Sequence, residues 1–445
     1  MFYPHRNRSH LGGEEYALNQ HEETNLYEFE ISGRYGIYYI DWPNLRIRGK
    51  VERIREHTDH EVKGEVMITS ERPESAGHLR QGRLNLTSPA SRRTLAASLA
   101  RREAFVDWDM VLEQLCVSVL REFRAGIPES LLDGNAGVEE GPRYLIDPML
   151  VQDEVNIIYG KGSSGKSYFA QYLSVLADAG LSAGGLCVEP SKVLYLDWET
   201  TRREINSRVS YLRRGLGIEG VCGIWYKRMT AALHTDLETV KDLVVQKGIS
   251  LVVVDSLASA LGGEPESAAV CLNMFNALRE LEVTSLCIHH VNKQTTAPKE
   301  AQLFGSNYIY NSARNLFQLH ADIVPQSRAM TIGVYHVKMN NGPMIADMGY
   351  ELAFGEGTVT LERRDVKDNP ELEQHQRNVD RLDNALRDGP LTVGDLVDKL
   401  GKSESQIRNL LSQYNQKFFK LPTKVNGLDR YARAMQIDID EWVNP

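Results

Sequence analysis

Residues 155–180 read VNIIYGKGSSGKSYFAQYLSVLADAG. Val155, Ile157 and Ile158 form an apolar strand. Gly160-Lys161-Gly162-Ser163-Ser164-Gly165-Lys166-Ser167 then fits the pattern G-x-x-x-x-G-K-[ST]. A helix opens at once, with Phe169, Leu173 and Leu176 on one face and Gly180 past its end. Strand, glycine loop and helix in this order make a phosphate cradle. The glycines let backbone N–H groups turn inward, and the helix N-terminus adds partial positive charge. Lys166 is placed to reach the β- and γ-phosphates and Ser167 to ligate Mg²⁺. The nucleotide-binding residues are therefore expected to be Gly160 to Ser167 and Tyr168, with ATP and Mg²⁺ as the bound species. Among the residues named, Lys161, Gly162, Ser163, Ser164 and Gly165 form the loop itself.

A phosphate loop does not distinguish a kinase from an ATPase, but the strands that follow do. In SKVLYLDWET, the strand Val193–Leu196 ends at Asp197 and Glu199. A carboxylate there lies on the ligand edge of a parallel sheet, so Glu199 can polarise a water for attack on the γ-phosphate. Asp197 is expected to orient its neighbours. In ISLVVVDS the apolar run ends at Asp255, which suits an acid holding Mg²⁺ through water, with Ser256 as a helper. TSLCIHHVNK ends a third such strand at His289 and His290. His290 can hydrogen-bond a γ-phosphate, and His289, one residue earlier, points the other way as a structural residue. Paired histidines without a third ligand at usable spacing argue against zinc.

Outward from this centre, the chain has 445 residues, 42% hydrophobic and 25% charged, with a net charge of −9. Those values exclude collagen-like and wholly disordered chains and suggest about three domains. The acidic balance excludes a surface basic all over, so any nucleic-acid contact must use local patches. No run of 18 apolar residues is present, the first residues lack an apolar signal core, and five scattered cysteines make no framework. A cytoplasmic protein with no membrane partner is expected. Residues 1–25 read as a flexible polar tail, 26–127 as a β-rich α+β domain of unassigned role, and 128–143 as a linker. Residues 144–365 alternate strands and helices, the α/β pattern of a mainly parallel sheet. Residues 366–376 read as a second polar linker.

Residues 377–445 carry helix, turn, helix and a strand pair, which predicts a winged-helix domain. Thr392 with Asp395 and Ser403 with Gln406 are capping pairs. Between Ser405 and Arg433 there are six basic residues, Arg408, Lys417, Lys420, Lys424, Arg430 and Arg433, against one acid, Asp429. That excess suits DNA phosphates, although a winged helix can equally serve protein contacts. In the N-terminal domain, Arg34 to Arg102 holds 14 basic and 8 acidic residues, and only two of the basic ones are lysine.

Taken together, GKGSSGKS, LYLDWET, LVVVDS, HHVNK, FGSNYIYNSARN and VKMNNGP resemble the RecA-like P-loop ATPase superfamily over roughly residues 140–345. The pattern is closest to the branch of RepA-type hexameric helicases and RecA-like AAA ATPases. The resemblance implies a RecA-like sheet core and a site shared between subunits of a hexameric ring. It implies that a basic residue of the neighbour, Arg314 or Lys338, completes catalysis. Asn340 stands where many relatives carry Arg. The resemblance also implies that the loop after His290, with Lys293 and Lys299, touches single-stranded DNA; by composition alone it is a surface loop. The expected function is an ATP-hydrolysing DNA helicase or translocase. The alternatives are an ATP-switched DNA-loading or recombination mediator protein that does not unwind, and a signalling ATPase that uses its flanking domains as protein adaptors.

Overall fold

A computed structural model of the protein describes residues 25–34, 36–57, 60–75, 77–126, 141–290, 307–324, 326–373, 375–425 and 427–434. The expected tail, most of the first linker and the loop carrying Lys293 and Lys299 lie outside them. The chain divides into two units, residues 1–133 and 134–445.

The first unit is an antiparallel meander of five strands, Glu30–Arg34, Ile37–Trp42, Ile47–Glu56, Val62–Ser70 and His78–Asn85, paired in chain order. Val62–Ser70 alternates buried and half-buried residues along its whole length, as a strand with one covered face must. Helices Pro89–Ala100 and Trp108–Ala125 supply the cover, capped by Ser88 and Asp107. Leu95, Leu99, Leu112, Leu115 and Val119 pack with Ile40, Trp42, Val51 and Val66 in one core. Two arginines of the sheet are neutralised locally: Arg48 pairs with Asp41, and Arg53 with Glu65.

The second unit is built on a nine-stranded sheet. Its order is Trp225–Arg228, Val193–Asp197, Leu251–Asp255, Thr284–His290, Val155–Gly160, Asn315–Ile323, Ala329–Met339, Met348–Phe354 and Val359–Arg364. The first six are parallel, and the central ones are buried from end to end because helices cover both faces. The strand–helix alternation expected across 144–365 stops at Ser312. Beyond it Asn315–Ile323 still pairs parallel with Val155–Gly160, but each later strand is antiparallel to the one before it, since short connections such as 355–358 can join only antiparallel neighbours. Helix Lys166–Ala179 packs Phe169, Leu173 and Leu176 under Phe317, Ile332 and Tyr350.

The polar stretch 366–376 is pinned to this sheet, which corrects its reading as a second polar linker. Leu372 is buried beside Tyr335 and Val366, and the Tyr335 hydroxyl donates to the Leu372 carbonyl at 2.6 Å. Asn369 donates to Asp322 at 2.8 Å, Gln376 donates to Asp347 at 3.2 Å, and the His375 ring stacks on His320.

Helices Asn378–Ala385, Val393–Leu400 and Glu404–Gln413 follow, with a three-stranded sheet ordered Leu391–Thr392, Arg430–Arg433, Phe418–Lys420. Thr392–Asp395 and Ser403–Gln406 form reciprocal capping boxes. Leu382, Leu386, Leu396, Leu400, Ile407 and Leu411 make a separate small core. No described helix is long and apolar enough to cross a membrane.

Candidate functional site

Four parallel strands deliver their chemistry to one edge of the sheet. Asp197 lies opposite Asp255, Asp255 opposite Ile288, and His290 opposite Gly160. These are carboxyl ends of parallel strands, where such sheets bind ligands.

The loop between Gly160 and Ser167 is held tightly. A side chain at Gly160 would put its Cβ 2.4 Å from the Leu319 carbonyl oxygen. Gly165 has φ +80°, and a Cβ there would lie 2.6 Å from Ile332. Gly160 is thus required by its close approach to backbone, and Gly165 by its left-handed conformation. The Lys166 ammonium is buried and donates to the Lys161 carbonyl at 2.6 Å and the Ser164 hydroxyl at 3.3 Å. Burial pushes its pKa down to about 8, against the pull of Asp255 and Glu199. Lys161, Gly162 and Ser163 are exposed around it. Tyr168 sits edge-on to Phe354, 5.3 Å between centroids, with the Arg208 guanidinium over its ring.

Glu199 is exposed and stands in front of the loop. The buried Ser256 hydroxyl donates to its Oε1, and His290 Nε2 lies 3.6 Å from its Oε2. His290 first, with Ser256, holds the Glu199 carboxyl below its ordinary range in spite of burial. Asp197 is fully buried and accepts hydrogen bonds from the backbone N–H groups of Glu199 (2.9 Å) and Thr200 (3.0 Å) and from the Tyr226 hydroxyl (2.9 Å). It fixes the turn that presents Glu199. His289 is buried, and burial pushes its pKa to about 4, so its ring is neutral near pH 7.

Asp255 is buried, which raises its pKa; a hydrogen bond from Tyr195 and the nearby Ser167 hydroxyl oppose that rise. The Tyr195 hydroxyl donates to Asp255 Oδ2 at 2.7 Å, while Oδ1 has no partner among the described residues. A buried, unpartnered carboxylate oxygen beside the Ser167 hydroxyl fits the water shell of a hard divalent cation. Among the described residues there is no cluster of three or more His, Cys, Asp or Glu able to hold a metal directly. Tyr195 was not legible as a site residue from strand patterning. The signal available was a tyrosine inside an otherwise aliphatic strand, whose hydroxyl needs a partner once buried.

Arg314 and Lys338 are not brought to this edge. Arg314 directly precedes Asn315, which pairs with Asn156, whereas Gly160 pairs with Leu319; the arginine lies about 16 Å back along the strand. Arg314 is exposed. The Lys338 ammonium donates to the carbonyls of Tyr310 (2.7 Å), Asn311 (3.2 Å) and Ala313 (2.7 Å), holding the end of helix Asn307–Ser312. Service to a neighbouring site would require its release from these carbonyls.

The basic count in the last domain is smaller in space than in sequence. Arg408 pairs with Glu404 at 2.6 Å, Arg433 with Asp383 at 2.9 Å, and Lys420 and Lys424 both with Asp429. Glu404 and Asp383 both lie outside the stretch that gave the excess. Arg430 donates to Thr423, and Lys417 is exposed.

Residues 123–296 match the family model described as an AAA domain. This match spans the phosphate loop, Glu199, Asp255 and His290 and supports a P-loop ATPase. No curated protein matches the chain. Among solved structures, a KaiC-like protein from the hyperthermophilic archaeon Pyrococcus horikoshii is similar over 49% of this chain and 93% of its own, with 16% identity and a TM-score of 0.35.

Proposed function

We propose that this protein is an ATP-hydrolysing motor acting on DNA, a RecA-like helicase or translocase whose subunits share their active sites. The observation that carries the hydrolytic part is the placement of Glu199: exposed, charged, and braced by Ser256 and His290 in front of Lys166. Glu199 takes a proton from a water as its oxygen bonds to the γ-phosphorus, and the bond from that phosphorus to the β–γ bridging oxygen breaks to release ADP. Lys166 balances charge on the phosphates, and backbone N–H groups of the loop hold them in line. Mg²⁺ held by Ser167 and the Asp255 water shell would neutralise charge on the β- and γ-oxygens.

An exposed Arg314 remote from its own phosphate loop suits a residue that serves a neighbouring subunit. The order helix, strand, helix, helix, strand, strand in residues 378–433 suits a winged helix. A second reading, an ATP-switched DNA-loading or mediator protein, is favoured by the local pairing of Arg408, Lys420, Lys424 and Arg433, which leaves less charge for tight DNA contact. The deciding experiment measures ATPase rate with and without single-stranded DNA, then strand displacement on a forked duplex. Stimulation with displacement supports the motor; stimulation without displacement supports the mediator; neither excludes both.

A further inference from the structure

The nucleotide site contains a chain of buried polar groups that none of the phosphate-contacting residues explains. Gln171 lies four residues after Ser167 on the helix Lys166–Ala179, one turn on and on the same side. Its side chain is fully buried, and its Nε2 donates to the Tyr195 hydroxyl at 3.4 Å. Tyr195 is also fully buried, packed in the core under that helix, and its hydroxyl donates to Asp255 Oδ2 at 2.7 Å. Tyr195 belongs to the strand Val193–Asp197 and Asp255 to the next strand, where Tyr195 is level with Val253. The tyrosine ring therefore reaches forward by two residues to meet the carboxylate.

The direction of this chain is fixed. The Tyr195 hydroxyl has one proton, which goes to the Asp255 carboxylate, and its lone pair takes the Gln171 amide. Oδ2 is thereby committed to a protein donor, and Oδ1 is the oxygen left without one. A buried aspartate with two free oxygens could rotate or share a proton between them. With one oxygen held from the side of the helix, the carboxylate has a single orientation, and the buried Oδ1 is the oxygen left for a ligand.

We propose that Tyr195 is a positioning residue for the divalent cation: it fixes Asp255 so that Oδ1 faces the metal's water shell, and through Gln171 it ties that orientation to the helix that carries Ser167. This rests on the nucleotide-site reading above and adds an outer-shell residue to it. Outer-shell partners of metal-site groups typically change metal affinity by about 10–100-fold when removed.

The test uses the full-length protein and a fluorescent ADP analogue, titrated once in EDTA and once in millimolar Mg²⁺. The wild-type Mg²⁺ enhancement of affinity is the reference. Tyr195→Phe keeps the ring and removes only the donor. The expected result is an affinity in EDTA within about twofold of wild type, and an Mg²⁺ enhancement reduced by about tenfold or more. Mn²⁺ binding to the ADP complex, followed by electron paramagnetic resonance, should weaken in parallel. Asp255→Asn should abolish the enhancement, and adding Tyr195→Phe to it should cost nothing further, because both act through one carboxylate. Should Tyr195→Phe fail to fold, Gln171→Met is the second variant, with a smaller loss of enhancement expected. An unchanged Mg²⁺ enhancement in a folded variant overturns the proposal, as does a full additional loss in the double variant. Wild-type protein that binds no nucleotide in either buffer overturns the site reading itself, and the inference with it.

Discussion

Asp197 and Asp255 face each other in register on neighbouring parallel strands, yet their carboxylates have opposite duties. Asp197 is satisfied on both oxygens, by two backbone N–H groups and by Tyr226 with Arg228. Asp255 is satisfied on one oxygen only. The first is spent on shaping the turn that holds Glu199, and the second is left open for a ligand. Two acids with the same place on a sheet edge are separated by what their neighbours donate.

Lys166 has a pKa pushed down to about 8 by burial, so its ammonium is present below that pH and is lost as pH rises through it. In the free enzyme, kcat/KM for ATP should therefore fall on an alkaline limb with an apparent pKa near 8. Lys166→Ala should lower hydrolysis by several orders of magnitude and weaken ATP binding. A flat profile to pH 10 would mean that the ammonium is not what meets the phosphates.

Asp347 has a pKa raised to about 6, chiefly by burial and further by Asp380. A carboxyl raised in the folded state favours the protonated form, so its contribution to stability is lost as pH rises from about 4 through 6. Asp347→Asn mimics that protonated form and keeps an acceptor for Gln376. The variant should be more stable than wild type by about 1–2 kcal/mol at pH 7.5 and indistinguishable at pH 4. Thermal unfolding at the two pH values measures this; an equal gain at both would assign the effect to something other than the proton.

The docked stretch 366–376 should matter to the sheet it covers. Leu372→Ala is expected to destabilise the protein by about 2–4 kcal/mol, because Leu372 is buried with Tyr335 and Val366. A chain ending at residue 376 should keep the sheet's stability, and one ending at 368 should lose several degrees in Tm. Equal melting of the two truncated chains would show that the docking contributes nothing.

Arg314 is expected to act across a subunit boundary. Neither Lys166→Ala nor Arg314→Ala protein alone should turn over ATP well. Their mixture should recover activity, because the Lys166→Ala subunit donates a good arginine to the intact loop of its neighbour. Specific activity of the wild type should rise with protein concentration. Activity of a demonstrated monomer equal to that of concentrated protein would place the whole site within one chain.

That the phosphate loop, Glu199, Asp255 and His290 share one sheet edge was legible because each is marked by its place at the end of an apolar strand, a local pattern. The capping boxes at Thr392 and Ser403 were legible for the same reason, since both partners lie three residues apart. What escaped depends on distant pairing. Tyr195 meets Asp255 across 60 residues, and Ser256 meets Glu199 across 57. Arg433 meets Asp383 only after the small domain folds, so a count along the chain overstated the free positive charge. The docked stretch escaped because its buried apolar side chains, Val366 and Leu372, stand among polar neighbours and are too few for any periodicity.

Glu199 is the residue on which the proposed hydrolysis turns. Glu199→Gln keeps the size of the side chain and its place beside Ser256 but removes its basicity. Incubated with radiolabelled ATP and Mg²⁺, then freed of unbound nucleotide, this variant should retain intact ATP on the protein for far longer than wild type, with an affinity close to wild type and turnover reduced by about 10²-fold or more. Hydrolysis of the bound ATP at the wild-type rate would contradict the assignment of Glu199 as the base.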